Sequence, residues 1–183
     1  PRHIDATRAA RMPVVARSDA ENSDDTCALS ALAISAQADG AAFVLLVSPQ
    51  ACEQYKLTPQ AEWIAHASVG STPVTPLLAA EAAALQVLQS AGFVNAQDMT
   101  HVELHDAFAV QGLSFAQGLL LAPERLNPLG GGLARGHPIG ASAAIALVRL
   151  LADLNREGAS KSKGLVAVAG AGGLGAAAIV ATL

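Results

Sequence analysis

Apolar positions along the chain recur with two spacings, and each spacing predicts one kind of element. Continuous or alternating apolar runs, typical of strands, lie at residues 41–48, 61–69, 101–104, 164–170 and 175–183. Helical spacing extends over 77–91, 107–121 and 141–156, and we expect the second of these helices to be largely buried. Ser48 and Pro49 suit the N-cap and first position of another short helix.

The order of these runs predicts a layered α/β fold. Strands and helices alternate up to the last two strands, which a glycine-rich turn joins as a hairpin. The sheet is therefore expected to be mixed, parallel where helices connect the strands and antiparallel at the end. Residues 1–30 are polar, with a charged run at 18–25, so we predict an irregular exposed arm there and one domain over 31–183.

Composition narrows the class of protein. The 183 residues are 52% hydrophobic, 14% charged and 3% aromatic, so much of the surface must be buried, some of it against another chain. A net charge of −4 without a Lys/Arg run argues against nucleic acid as a partner, and no apolar stretch reaches the roughly 18 to 20 residues of a membrane span. Cys27 and Cys52 form no disulfide framework, and no secretion signal is recognisable, so we predict a cytoplasmic protein.

The glycine-rich turn near the end of the chain imitates a nucleotide-binding motif. Residues 170–175 match G-x-G-x-x-G after a predicted strand, but the helix, second strand and acidic residue of a dinucleotide site do not follow. We therefore predict no dinucleotide there. A turn so poor in side chains still lets its N–H groups face an oxyanion.

A second candidate site is HDAF, residues 105–108, where a predicted strand gives way to a helix. Ligands collect at such strand ends in α/β folds. His105 could donate a hydrogen bond into a cleft or hold a water molecule, and Asp106 could cap the following helix. The residues leave open the alternative that both side chains are structural.

The third candidate is His137. Pro138 restricts its backbone to extended conformations, and Gly136 and Gly140 let the loop turn sharply on both sides. A helix is expected to begin near residue 141, and its N-terminal dipole disfavours imidazolium, which favours a neutral ring able to accept a proton. The alternative is a structural histidine in a turn. The chain contains no G-x-S-x-G elbow, no Walker A motif and no metal-ligand spacing of His, Cys and Asp.

Taken together, three ordered motifs resemble the C-terminal half of thiolases: HDAF at 105–108, NPLGGGLARGHPIGAS at 127–142 and AVAGAGGLGAA at 167–177. The run ADGAAFVLLVS resembles the strand that opens that half, so the likeness extends from about Asp39 to Leu183. It implies a thiolase-like βαβαβαββ domain with helices packed on a mixed sheet. It also implies an acyl-CoA C-acyltransferase that cleaves 3-oxoacyl-CoA with coenzyme A or runs the reverse Claisen condensation. The spelling HDAF looks like that of sterol-carrier-type thiolases.

The resemblance assigns roles to particular residues. His137, in the GHP motif, would take the proton from a nucleophilic cysteine, and His105 would help to form an oxyanion hole. Loop and oxyanion support is expected from Asn127, Gly136, Ala171 and Gly172. Coenzyme A thioester would be a substrate, with no permanently bound cofactor and no metal.

Two departures from the family pattern bear on activity. The nucleophilic cysteine belongs to the N-terminal half, which we expect to lie outside this chain, and neither Cys27 nor Cys52 stands in a matching motif. The second acid/base cysteine aligns with Ala169, and the alternative position used by some relatives is Ala107. Alanine cannot move a proton.

Three hypotheses follow from these features. The chain is the C-terminal half or a subunit of a thiolase-like enzyme, inactive alone; or a non-catalytic subunit that binds acyl-CoA or a partner protein; or part of an enzyme of altered chemistry, such as retro-aldol cleavage. In each case the apolar helices predict an N-terminal thiolase half or partner subunit, in a homo- or hetero-oligomer.

Overall fold

The structure, a computed structural model, describes residues 5–17, 28–158 and 160–183. Its helices are α1 (Ala6–Ala9), α2 (Pro49–Tyr55), α3 (Ala79–Ser90), α4 (Ala109–Gly118), α5 (Gly132–Arg135) and α6 (Ser142–Glu157). Its strands are β1 (Val14–Ala16), β2 (Leu29–Ser30), β3 (Ala61–Gly70), β4 (His101–Leu104), β5 (Lys163–Gly170) and β6 (Leu174–Thr182). No helix in these ranges is long and apolar enough to cross a membrane.

The main sheet is mixed, as the sequence predicts. Its strand order is β3-β6-β5-β4, with β4 and β5 parallel and β6 antiparallel to both of its neighbours. The segment containing α4, α5 and α6 carries the chain from β4 back to the start of β5, which makes these two strands parallel. Between β5 and β6 the chain turns at Gly172 and Gly173, where φ is +81° and +84°. The predicted hairpin is confirmed.

Alternation along the strands divides the core into two layers. Leu165 and Ile179 point to one face of the sheet, where α3 packs, while Val166 and Val180 point to the other, where α6 packs. Both long helices form where expected: α3 is followed by Gly92 at φ +77°, and α6 ends at the left-handed Gly158. Because helices cover both faces of the sheet, a ligand can reach it only at the ends of its strands.

The predicted strand at 41–48 is wrong. This segment is irregular, with Phe43 93% exposed and Leu45 78% exposed. An apolar run becomes a strand only when a neighbour takes its N–H and C=O groups, and no described strand pairs with it. The following helix α2 does form, and the Ser48 hydroxyl accepts from the Ala51 N–H at 3.2 Å as its N-cap. The irregular segment at 41–48 and helix α2 therefore lie outside the four-stranded sheet.

Two further expectations need correction. Helix α4 is shorter than 107–121 and not largely buried: Phe115 lies in the core, but Leu113 is 73% exposed, because only one side of the helix meets the rest of the domain. The arm at 1–30 is not wholly irregular, since α1 forms and β1 pairs with β2, although the charged run at 18–25 lies outside the described residues.

Candidate active site

The candidate site lies at the carboxyl end of β4. His105 follows the strand directly and continues its ladder, donating its N–H to the Ala167 carbonyl at 3.1 Å. Val102 and Leu104 point into the layer under α3, so the alternating residues Glu103 and His105 face the side of α6. The topology therefore aims His105 toward the loop that precedes α6.

The structure brings the two predicted histidines together. His105 Nε2 lies 2.5 Å from His137 Nδ1, and the rings stack with centroids 4.4 Å apart and an interplanar angle of 25°. His137 Nδ1 also lies 3.0 Å from the Ser142 hydroxyl, which donates to the Pro138 carbonyl at 3.1 Å. All of these contacts use Nδ1, which leaves His137 Nε2 for a reacting group.

His105 is kept neutral by its surroundings. The residue is 4% exposed, and this burial, followed by the nearby His137 and Arg135, lowers its pKa to about 4. A ring that stays uncharged at neutral pH can both donate and accept a hydrogen bond. His105 is therefore suited to orienting a neighbour rather than to supplying a proton as imidazolium.

Asp106 caps a different helix from the one predicted. Its carboxylate accepts hydrogen bonds from the N–H groups of Gly132 and Leu133, at the start of α5. Helix α4 begins after Phe108 without a side-chain cap. Asp106 is buried, and burial raises its pKa although the backbone bonds oppose the rise. It thus ties the HDAF segment to the glycine-rich loop.

The predicted supporting residues lie in two places. Asn127 is in the site: its side-chain oxygen accepts from the Leu104 N–H at 2.8 Å, and its own N–H donates to the Val102 carbonyl at 2.9 Å. Gly136 has φ +93°, and a Cβ there would lie 2.7 Å from the Ala38 Cβ, so this position requires glycine. Both residues fix the loop that carries His137.

The turn between β5 and β6 holds the remaining predicted residues. Ala171 and Gly172 are exposed at its tip, and the half-buried Ala169 pairs with Gly175 across the hairpin. No hydrogen bond within the described ranges joins this turn to either histidine. Their predicted part in an oxyanion hole stays a prediction, although β5, which leads into this turn, pairs at Ala167 with the end of β4 that carries His105.

Sequence reasoning missed the segment at residues 35–36, which hydrogen-bonds to both histidine-bearing loops. Ser35 donates its N–H to the Ala107 carbonyl at 2.8 Å and its hydroxyl to the Gly132 carbonyl at 2.7 Å. The next carbonyl, of Ala36, accepts from the His137 N–H at 2.7 Å. A single serine in an alanine-rich stretch gives no local signal of this long-range role.

A buried ion pair lies beneath the histidines. Glu103 is fully buried, and its pKa is raised to about 7: burial raises it most, Arg135 and Arg149 oppose the rise, and Asp153 adds to it. Arg135 approaches its carboxylate at 3.4 Å. Glu103 lies two residues before HDAF, and its partner 32 residues away could not be read from local spacing.

The described residues form no metal site, and one cavity lies away from the histidines. Within the described ranges, no group of three or more His, Cys, Asp or Glu side chains could hold a metal ion. A cavity of about 310 Å³ lies between residues 74–78 and one side of α4, lined among others by Val74, Val110 and Phe115. It does not include the histidine pair.

Comparison with known proteins gives consistent matches. A sequence model described as the thiolase C-terminal domain matches residues 57–182. An acetyl-CoA acetyltransferase from Chromobacterium violaceum is 39% identical over 142 residues, which are 78% of this chain and 36% of that protein. The crystal structure of the Bacillus anthracis acetyl-CoA acetyltransferase has a TM-score of 0.88 and 28% identity, covering 98% of this chain and 43% of that one. A thiolase from Ascaris suum in complex with coenzyme A has a TM-score of 0.70 and 32% identity, over 75% of this chain and 35% of that one. This chain thus spans about a third of the length of the curated relatives that it matches.

Proposed function

The chain belongs to the thiolase family, as its C-terminal domain, and from this premise we propose that it is the C-terminal part of an acyl-CoA C-acyltransferase. The reaction proposed is thiolysis of 3-oxoacyl-CoA or the reverse Claisen condensation. The observation that carries the proposal is the contact of His105 with His137, since two loops converge to present one free imidazole nitrogen. The finer likeness of HDAF to sterol-carrier-type thiolases is part of the proposal.

The hydrogen bonds favour one tautomer of His137. The Ser142 hydroxyl proton is directed to the Pro138 carbonyl, so its oxygen is free to accept from His137 Nδ1–H. His105 Nε2 accepts from the same group when His105 carries its proton on Nδ1. His137 Nε2 then keeps its lone pair and can act as the base toward a thiol. In this state His105 orients His137 through Nε2, and the one proton that the His105 ring can donate is on Nδ1.

We propose that the nucleophilic thiol comes from outside this chain. Cys52 lies on α2, in no motif of the site, and Cys27 is outside the described residues. Coenzyme A thioester is the proposed substrate, supported by the coenzyme A complex of the Ascaris suum thiolase. We propose no permanent cofactor and no metal, and a cytoplasmic location.

An N-terminal thiolase half or partner subunit is the proposed neighbour, within a homo- or hetero-oligomer. Exposed apolar side chains at Phe43 and Leu113, together with the cavity beside α4, support this pairing. About two thirds of each curated relative's length has no counterpart in this chain, which is ample to cover such a surface.

The test is acyl-CoA thiolysis by the protein that carries this chain, assembled with its N-terminal half. We expect His137→Ala to lower kcat roughly 10²- to 10⁴-fold, the usual contribution of a positioned general base. His66→Ala is the matched control, because His66 lies on β3 and contacts Trp63. If His137→Ala retained full activity, His137 would have no place in the mechanism.

A second candidate is altered chemistry, such as retro-aldol cleavage, or a non-catalytic role. The alanines at positions 169 and 107 favour it, because neither can replace an acid/base cysteine. Ala169→Cys discriminates between the candidates. A gain in thiolysis places the lost acid/base group at 169, whereas an unchanged rate favours a reaction that does not use it.

A further inference from the structure

Arg135 connects the two parts of the chain that carry the histidines. It is the last residue of α5, and its guanidinium donates one hydrogen bond to the Gly130 carbonyl and another, at 3.4 Å, to Glu103 Oε2. Glu103 lies on β4 two residues before His105, and Arg135 lies two residues before His137. One side chain therefore links both histidine-bearing segments from beneath.

The burial of Glu103 holds this link in place. Its side chain is fully buried and its Oε1 has no hydrogen-bond partner, so within the described part of the chain Arg135 alone hydrogen-bonds the carboxylate. Arg149 and Asp153 on α6 face the same carboxyl group with opposite charges. A buried carboxylate without a donor is costly, so Glu103 holds the guanidinium inward.

We propose that Arg135 is a positioning residue: by bonding Glu103 and the Gly130 carbonyl together, it sets the glycine-rich turn so that His137 meets His105. This inference rests on the proposed function, in which that meeting prepares His137 as a base. Asp106 fixes the start of α5 and Arg135 fixes its end, so the four-residue helix is held at both termini.

The positive charge of Arg135 adds a second effect. His105 is faced by His137 and by Arg135, and both lower its pKa in addition to burial. Lysine at position 135 would keep the charge but lose the forked geometry that bonds two acceptors at once. Geometry and charge can therefore be separated by substitution.

The experiment compares Arg135→Gln, Arg135→Lys and the control Arg125→Gln in the protein that carries this chain. Arg125 also bonds backbone carbonyls, those of Gln97 and Met99, but away from the histidines. One readout is kcat and KM for acyl-CoA thiolysis. The other is the protonated fraction of His105 at pH 5, from NMR of ring-labelled histidine, with the signal assigned by loss in His105→Asn.

We expect Arg135→Gln to lower kcat roughly 10- to 100-fold, as for a misplaced catalytic group, with KM nearly unchanged. It should also raise the protonated fraction of His105, which is about a tenth at pH 5 for a pKa of about 4. Arg135→Lys should lower kcat but leave that fraction low. Arg125→Gln should change neither.

The inference is overturned if Arg135→Gln behaves as Arg125→Gln does in both readouts, or if kcat falls while the protonation of His105 stays the same. Should Arg135→Gln fail to fold, the double variant Glu103→Gln/Arg135→Gln, which also removes the buried charge, carries the same comparison. If the wild-type protein catalyses no acyl transfer, the proposed function fails, and the NMR comparison still decides whether Arg135 sets the histidine pair.

Discussion

A methyl group added at position 132 tests how tightly the histidine pair is held. A Cβ on Gly132 would lie 2.8 Å from Cε1 and Nδ1 of the His105 ring and 2.9 Å from the Asp106 carbonyl oxygen. Nonbonded carbon atoms prefer roughly 3.5 to 4.0 Å. The ring cannot retreat freely, because His137 stacks on it at 4.4 Å between centroids. We therefore expect Gly132→Ala to displace either α5 or His105.

The expected magnitude follows from two opposing contributions. Alanine favours the helix by about 1 kcal/mol over glycine, whereas overpacking a close contact costs about 1 to 3 kcal/mol, so we expect a net loss of up to about 2 kcal/mol. Gly112→Ala on α4 is the matched control, since a Cβ there meets only the Asp106 Cβ and Leu126 Cδ2, both at 3.9 Å. The control should stabilise the protein by about 0.5 to 1 kcal/mol.

The assay is urea denaturation of the assembled protein, with the free energy of unfolding compared at equal m-values, together with kcat for thiolysis. We expect Gly132→Ala to lose stability and activity and Gly112→Ala to lose neither. If Gly132→Ala were as stable and as active as Gly112→Ala, tight packing of α5 against His105 would not be what positions the pair.

Three further variants test the buried groups Glu103 and His105 and the hydrogen bonds of Ser35. The pKa of Glu103 is about 7 in the folded protein against 4.5 in the unfolded chain. The folded protein therefore binds the proton more tightly, and the free energy of unfolding falls as pH rises from 4.5 to 7, by about 3 kcal/mol. Glu103→Gln should remove this decline. His105 has the opposite sign, because its folded pKa of about 4 lies below 6.5: its stabilisation is present above pH 6.5 and lost toward pH 4, and His105→Asn should flatten that loss. Unfolding curves at pH 4.5, 5.5, 6.5 and 8 check both, and an unaltered slope in either variant would contradict the corresponding assignment. Ser35→Ala should lower the free energy of unfolding by about 1 kcal/mol and also lower kcat, because it loses the hydrogen bond to the Gly132 carbonyl. Ser90→Ala, which loses a bond to the Val87 carbonyl on α3, should leave kcat unchanged. Equal kcat in the two variants would contradict a role of Ser35 in holding the histidine-bearing loops.

Much of the fold could be predicted because its signals are local. The runs at 61–69, 101–104, 164–170 and 175–183 became β3 to β6, and Ser48 capped α2 as expected. The run at 41–48 carries the same kind of local signal but lacks a strand partner in the described chain, and its exposure follows from that. Pairing is a property of two segments, so one segment's sequence could not decide it.

The sequence pointed to the two histidines that meet in the structure, but not to the contacts that connect them, and their catalytic roles stay predictions. The backbone freedom of Gly136 and the restriction by Pro138 pointed to His137, and the strand end pointed to His105. That the rings meet, that Asp106 caps α5 instead of α4, and that Arg135 reaches Glu103 all depend on contacts between segments more than 25 residues apart. No periodicity or turn motif encodes such distances.

The supply of protons limits what this site can do alone. His105 stays neutral down to about pH 4, and the Asp106 carboxylate is committed to the start of α5. Glu103 titrates near pH 7 but is sealed under the loop with no exposed surface. That leaves His137 Nε2 as the base that we propose for the cluster, while a Claisen condensation requires one group to take the thiol proton and another to take the α-proton. With alanine at 169, the second group must come from the rest of the protein, or the reaction must dispense with it, and the rate gained or not gained by Ala169→Cys separates these two cases.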